Sequence, residues 1–299
     1  MARIAVIGAG GMLGHVASRV LARDHQVIAV LRTHPQPGSA LAAALAGVEV
    51  VPGVDVRASG AVDHVLGHHR PDVVLNCVGL IKQRPEAADT ALAIELNALF
   101  PHRLAASAEA VGARLIQVST DCVFSGRRGG YREDDQPDPV DTYGISKWLG
   151  EVTAAPHLTI RTSIIGPQLE GREGLIAWFL SQAGREVRGY RRAVFSGLTT
   201  RALSEVLGKV VAAHPGLSGL YHVAAEPIGK YDLLSRLAAR IGWTSPIIPV
   251  DEPAIDRSLD GTRFAAATGI AIPGWDVMLD GLADDLGRES GAARISAMA

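Results

Sequence analysis

Ile4-Ala5-Val6-Ile7-Gly8-Ala9-Gly10-Gly11-Met12-Leu13-Gly14 is the stretch that decides the architecture of this chain. Its first four residues are a short apolar run, rich in β-branched side chains, that stops at Gly8. From Met12 onward apolar residues return at helical spacing. The order is strand, glycine turn, helix. Glycines in such a turn allow a tight reversal and a close approach of backbone to a pyrophosphate, which then rests on the helix N-terminus. The spacing is Gly8, Gly11 and Gly14, with Gly10 in addition, and so departs from the simplest GxGxxG form. A loop that merely needs positive φ would also use glycine. Placement in the first strand-turn-helix unit is what favours a nucleotide.

Outward from this unit the alternation continues. Apolar runs at 27–31 and 48–51 lie on either side of 39–46, an alanine-rich segment that favours helix. Residues 62–69 have helical character, and 73–78 form a continuous apolar run typical of a strand buried on both faces. A helical stretch at 89–112, interrupted at Pro101, precedes a strand at 114–118, a helix at 142–154 and a strand at 158–165. This predicts an α/β fold, a doubly wound parallel sheet whose ligands sit at the carboxyl ends of the strands. Beyond 166 the rhythm changes to a helix at 200–213, a strand signal at 221–223, a helix at 230–241 and a proline-rich stretch at 246–253. The expected organisation is a nucleotide-binding domain at 1–165, rejoined by parts of 190–225, and a smaller mixed domain at 166–299, mainly for substrate. The tail at 289–299 is small and polar enough to fray.

Composition excludes several classes. The chain has 299 residues, 47% of them hydrophobic and 20% charged, which supports a large core and argues against disorder. Lys plus Arg number 29 against 31 Asp plus Glu, so there is no electrostatic footprint for nucleic acid or an anionic membrane, and neither is expected as a partner. Two cysteines, Cys77 and Cys122, make no disulfide framework. No leader pattern opens the sequence and no apolar run approaches the roughly 20 residues of a membrane span. The expected compartment is the cytoplasm.

The end of the second strand selects a dinucleotide. An acidic residue there would bind the adenine ribose hydroxyls, whereas an arginine suits a 2′-phosphate. Here the chain reads Val30-Leu31-Arg32-Thr33, with no Asp or Glu. NADPH is therefore the expected cofactor, with NADH as the alternative. The alternative reading of Arg32 is a solvated surface arginine.

Ser119-Thr120-Asp121 ends the fifth strand, and Tyr143-Gly-Ile-Ser-Lys147 opens the next helix. Residues four apart share a helix face. A tyrosine with a pKa near 10 needs roughly 4 kcal/mol of differential stabilisation to exchange its proton at neutral pH, and a neighbouring ammonium together with an oxidised nicotinamide would supply it. Thr120 would hydrogen-bond the substrate oxygen. Tyr-x-x-x-Lys alone is also an ordinary amphipathic pair; joined to the glycine turn and the strand-end Ser-Thr-Asp, it points to chemistry.

With these motifs in place, the chain resembles the extended short-chain dehydrogenase/reductase family, most closely its dTDP-4-dehydrorhamnose reductase branch. The resemblance rests on Gly8-x-x-Gly11-x-x-Gly14, Arg70-Pro71-Asp72-Val73-Val74-Leu75-Asn76, Ser119-Thr120-Asp121-Cys122-Val123-Phe124, Tyr143-Gly-Ile-Ser-Lys147, Gly150-Glu151 and Arg161-Thr162-Ser163, and more faintly on Gly219-Leu220-Tyr221-His222 and Arg257-Ser258-Leu259. It implies a Rossmann fold and reduction of a nucleotide-activated 4-keto-6-deoxy sugar in deoxysugar or surface polysaccharide biosynthesis. In the family the Tyr donates a proton as NADPH delivers hydride, the Lys tunes the Tyr and holds the nicotinamide ribose, and the Thr positions the keto group. Those roles fall on Tyr143, Lys147 and Thr120, with Asp121 beside them. Cofactor contacts are implied at Gly8, Gly11, Met12, Leu13, Gly14 and Arg32, at Asp55 and Val56, at Cys77, Val78 and Gly79, and at Tyr143 and Lys147. Substrate contacts are implied at Lys82, Thr120 and Arg257, the last because a guanidinium grips a diphosphate bidentately. The partners expected are a nucleotide-diphosphate sugar and a second copy of the chain. Two other readings stay open: an epimerase or dehydratase of the same fold that returns its hydride to the substrate, and a non-catalytic NADP-binding regulatory subunit such as that of methionine adenosyltransferase.

Departures from the family are informative. Cys122 stands where the reductases usually have Tyr, and where GDP-fucose synthase has its acid/base cysteine. No matching His is found in 186–190, and a buried core cysteine is the favoured reading. Lys82-Gln83-Arg84 follow the fourth strand, where they meet an anionic or polyhydroxylated substrate or form a solvated turn. His64, His68 and His69 have helical spacing but no acidic or thiol partner at ligand spacing, and read as a surface helix end. No metal is expected. Trp178, Phe179, Phe195 and Trp243 suit either base stacking or core packing.

Overall fold

Both faces of β1 (Arg3–Ile7) are apolar, which places this strand inside a sheet: Ile4 and Val6 pack on one side, Ala5 and Ile7 on the other, all fully buried. The computed structural model describes residues 1–169 and 174–296. After β1 come α1 (Met12–Leu21), β2 (Gln26–Val30), α2 (Ala40–Ala44), β3 (Glu49–Val51), α3 (Ala61–His69) and β4 (Val73–Asn76). The chain then runs through α4 (Thr90–Ala93), α5 (Phe100–Ala110), β5 (Arg114–Thr120), α6 (Thr142–Leu149) and β6 (Leu158–Thr162).

The second part is built from shorter pieces. These are β7 (Ile164–Ile165), α7 (Leu175–Ser181), β8 (Val187–Tyr190), β9 (Ala193–Phe195), β10 (Leu198–Thr199), α8 (Thr200–Ala213) and β11 (Gly219–His222). Then follow β12 (Ile228–Gly229), α9 (Lys230–Ile241), β13 (Ile247–Val250), β14 (Ile255–Asp256), α10 (Thr262–Thr268) and α11 (Trp275–Ser296).

Seven strands form one parallel sheet in the order β11-β6-β5-β4-β1-β2-β3. The chain steps outward from β1 to β3 and then returns to β4 on the other side of β1. The loops after β1 and β4 therefore diverge, and a crevice opens between them at the strands' carboxyl ends. α1 and α8 cover one face of the sheet, and α3 and α5 the other. Although β11 comes late in the sequence, it adds to the edge at β6, and α8 packs directly on α1. Residues 190–225 thus contribute a strand and a helix to the first layer system. Smaller pairings β8–β13 and β12-β9-β14 build the part that overhangs the crevice.

Several element boundaries differ from expectation. The helix over 89–112 is distorted before Pro101, with a π-helical segment at Ile94–Leu99. Proline lacks the N–H for Asn97 and its ring crowds that carbonyl, so the preceding turn widens. α6 stops at Leu149, capped by Gly150, which lies so close to the carbonyl of Asn97 that no Cβ fits there. The strand expected at 158–165 divides at Ser163 into β6 and β7. The proline-rich stretch carries β13, whose Pro249 is tolerated in a two-stranded ribbon where a ladder N–H can be spared. The tail expected to fray from Glu289 is helical as far as Ser296; residues 297–299 lie outside the described residues. Among the described residues no helix is long and apolar enough to cross a membrane.

Candidate active site

A cleft of about 520 Å³ occupies the crevice. The glycine turn, the loop after β4, the end of β5 and the first turns of α6 form its near wall, and Tyr190, Lys230 and Arg257 face them from the second part.

The turn after β1 is shaped by close approach. Gly8 has φ +82°, and a Cβ there would lie 2.9 Å from the Val78 side chain. A Cβ on Gly14 would meet the carbonyl oxygen of Gly8, so only glycine lets α1 seat on the turn. Gly11 precedes α1 without a side-chain cap, and the first turn holds no acidic residue. The N–H groups at that end, with Met12 and Leu13 lining the cleft, are left for an anion. These residues fit the pyrophosphate of a dinucleotide.

Among the expected cofactor residues, Gly11, Met12, Leu13, Cys77, Val78, Gly79, Tyr143 and Lys147 line the cleft, while Gly8 and Gly14 shape its floor from behind. Arg32 is exposed at the end of β2, and Asp55 and Val56 stand in the loop after β3, outside the cleft lining. Arg57 grips the Asp55 carboxylate through Nε at 3.1 Å and Nη2 at 2.8 Å. Those hydrogen bonds, with Arg32 also near, hold the Asp55 carboxyl down to about 2. A second guanidinium, Arg57, therefore stands near Arg32, and nothing in its local sequence announces it.

Buried amides set the loop after β4. Asn76 donates from Nδ2 to Gln117 Oε1 at 2.7 Å and accepts from the Val78 N–H at 3.0 Å. Asn97 accepts from the Leu80 N–H at 2.8 Å and donates to the Leu80 carbonyl at 2.9 Å and to Ser146 Oγ at 3.1 Å. Asn97 thus locks this loop to α6, a role hidden in the sequence because the π-helical turn determines where its side chain points.

Asp141 starts α6 by accepting from the Gly144 N–H at 2.8 Å. A Cβ on Gly144 would meet the Cys122 carbonyl, so glycine allows the helix to lie against the end of β5. Tyr143 is within hydrogen-bond reach of Thr120, and Thr120 Oγ1 in turn accepts from the Cys122 N–H at 3.1 Å. Lys147 is buried and donates from Nζ to the Val118 carbonyl at 2.7 Å. Burial pushes its ammonium down to about 8, against the pull of Glu151 and Cys77.

Tyr143 is half-buried in the cleft wall. Burial pushes the phenol above its ordinary value, with Cys122, Asp121 and Asp141 acting in the same direction. The Lys147 ammonium gives one of its three N–H groups to the Val118 carbonyl. These effects favour the neutral phenol. Burial also pushes the Asp121 carboxyl up, opposed chiefly by Arg257.

Cys122 is half-buried and lines the cleft, in contrast to the core position favoured from sequence. The short 3₁₀ turn at Asp121–Val123 points it inward. Burial and then Asp121 raise its thiol to about 11, so it is a neutral thiol at pH 7.

Behind the reacting end lies a buried ion pair. Arg161 meets Glu151 through Nε at 2.7 Å and Nη2 at 2.8 Å, and Glu151 also accepts from Ser119 Oγ at 2.6 Å. Arg161 stacks on the Phe124 ring at 5.2 Å and lies 3.4 Å from His222 Nε2. The strand end carrying Thr120 is braced from below.

Lys82 and Arg257 both line the cleft. Lys82 is exposed, 3.6 Å from Asp141, and Arg257 donates from Nε to the Phe124 carbonyl at 2.9 Å. Lys230, absent from the sequence expectations, joins them from the first turn of α9. His69 pairs with Glu49, the first residue of β3, at 3.2 Å, at the strand end away from the cleft. Phe179 stacks on Trp243 in the core, whereas Phe195 reaches the cleft.

Over residues 2–280 the sequence matches the RmlD substrate binding domain family. The chain belongs to that family. Among relatives, it is 28% identical to the spore coat polysaccharide biosynthesis protein SpsK of Bacillus subtilis strain 168, over 84% of this chain and 83% of that one. It is 30% identical to a probable dTDP-4,6-dihydroxy-2-methyloxan-3-one 4-ketoreductase of Streptomyces antibioticus, over 76% of this chain and 73% of that one. The fold is similar to that of dTDP-4-dehydrorhamnose reductase from Bacillus anthracis strain Ames, solved in complex with NADP, with a TM-score of 0.74, 20% identity, and coverage of 94% of this chain and 98% of that one. As a member of this family with the glycine turn and the Thr-Tyr-Lys arrangement in place, the protein is an NAD(P)H-dependent oxidoreductase.

Proposed function

We propose that the protein reduces the keto group of a nucleotide-activated 4-keto-6-deoxy sugar, in the manner of dTDP-4-dehydrorhamnose reductase, and that it does so in the cytoplasm as a step in deoxysugar or surface polysaccharide synthesis. The observation that carries this reading is the convergence of Thr120, Tyr143 and Lys147 on a cleft that opens beside the glycine turn.

NADPH, when bound, supplies the hydride. The first turn of α1 and the glycines at 8, 11 and 14 hold its pyrophosphate, Arg32 meets the 2′-phosphate, and Asp55, Val56 and residues 77–79 line its path. Lys147 fixes the nicotinamide end. Thr120 donates a hydrogen bond to the substrate oxygen, and Tyr143 delivers its phenolic proton to the same oxygen as the carbonyl carbon is reduced. Asp121 packs beneath this pair. Lys82 and Arg257 face the substrate from opposite sides of the cleft, and residues 166–299 supply most of that side.

NADPH oxidation against a panel of enzymatically generated dTDP-, UDP- and GDP-4-keto-6-deoxy sugars tests the proposal. A product two hydrogens heavier, with one NADPH consumed per turnover, is the expected result. Tight NADPH binding with no turnover on the whole panel would overturn it. Cys122 beside Thr120 favours one second reading, an epimerase or dehydratase that returns the hydride. That reading requires substrate conversion without net cofactor loss, and loss of conversion in Cys122→Ser.

A further inference from the structure

Three cations line one part of the cleft, and among the described residues only Lys82 of the three has an ion pair, 3.6 Å from Asp141. Lys82 comes from the loop after β4, Lys230 from the first turn of α9 and Arg257 from the segment after β14. Lys230 is half-buried and forms no hydrogen bond or ion pair among the described residues. Burial disfavours its ammonium, and so do the charges of Lys82 and Arg257. The titratable groups facing it are those two cations, Asp121 and Cys122. Asp121 and then Cys122 favour the ammonium, yet a single carboxyl stands against three cations, and burial disfavours the charged forms of both. Arg257 uses Nε on the Phe124 carbonyl and keeps the rest of its guanidinium for another partner. Removing an ammonium from water with no hydrogen-bonded counter-charge is costly, and a cleft that does so beside two further cations is built for an anion.

We infer that Lys230 completes a three-cation clamp with Lys82 and Arg257 that binds the diphosphate of the substrate, so that one anion ties the nucleotide-binding half to the half that overhangs it. The inference rests on the proposed function for the identity of the anion. Lys82 belongs to the first half, Lys230 and Arg257 to the second. An uncharged sugar lacking the diphosphate leaves the cluster unneutralised, which makes Lys230 a determinant of substrate class rather than of the chemical step.

The test is calorimetric titration of inorganic pyrophosphate into the full-length protein saturated with NADP⁺, which occupies the glycine turn. NADP⁺ binding is measured first, so failure of the cofactor reading shows separately, and the Lys230 comparison stands in either case. Lys230→Met is expected to weaken pyrophosphate about tenfold or more, as loss of a charged hydrogen bond does, while Lys230→Arg keeps affinity within about threefold. Without ligand, Lys230→Met is expected to melt no lower than the parent, because it removes an unpaired charge. Absence of pyrophosphate binding to the parent, equal binding to Lys230→Met, or a lower melting temperature of ligand-free Lys230→Met would each overturn the clamp.

Discussion

A phenol that burial keeps protonated suits a reduction, in which Tyr143 begins each cycle as the donor. Tyr143→Phe is expected to lower kcat by about 10² to 10⁴ with the cofactor Kd unchanged, read from steady-state rates and fluorescence titration. Lys147 has the opposite sign. Its folded value of about 8 lies below the ordinary 10.5, so it loses its proton early, and turnover is expected to fall as pH rises through about 8. Between those two values the unfolded chain binds more protons than the folded one, and stability rises with pH. At pH 7 the buried ammonium is a cost. Lys147→Met should therefore raise the melting temperature there while abolishing activity, which thermal denaturation at pH 7 and a rate assay check together. Arg32→Ser is expected to lower the preference for NADPH over NADH by about tenfold or more, the worth of a charge-assisted hydrogen bond. Residues in contiguous motifs were legible because strand ends and helix starts impose fixed spacing. Asn97 and Lys230 were not, since each reaches its place through tertiary packing that no local pattern encodes, and Arg57, although held locally by Asp55, nears Arg32 only through the fold.

At the scale of elements, α6 does two things. Its inner face presents Tyr143 and Lys147, and its outer face exposes Ile145 and Leu149, four residues apart. Ile94 and Leu99 are exposed on the neighbouring π-helical segment, which packs against α6. Burying such a surface between two copies would remove it from water. If the protein is a homodimer through this surface, Ile145→Asp with Leu149→Asp shifts it to monomer in sedimentation equilibrium; an unchanged mass would place the interface elsewhere. Helices with clear periodicity, α8 and α9, have the bounds their sequence predicts. The long helix before β5 does not: the interruption expected at Pro101 is a π-helical segment at Ile94–Leu99, because the proline perturbs the turn preceding it while the helix continues through Pro101 itself.

The whole molecule is less divisible than its rhythm suggests. Alternation of strand and helix up to residue 165 marks the parallel sheet, yet β11 closes its edge and α8 covers the face above α1. Neither long-range pairing leaves a signal in local composition, so the return of the chain was legible only as a broad span. A fragment of residues 1–165 would bare the β6 edge and the apolar side of α1, and is expected to aggregate or remain unfolded, as circular dichroism and size-exclusion chromatography will show. The bracing of Thr120 crosses the same seam. His222 on β11 touches Arg161, which grips Glu151, which holds Ser119 beside Thr120. A ribosome delivers the glycine turn and the tyrosine long before it delivers His222. During translation the nascent polypeptide therefore carries the reactive groups without the support that aligns them, and a prematurely terminated chain is catalytically silent.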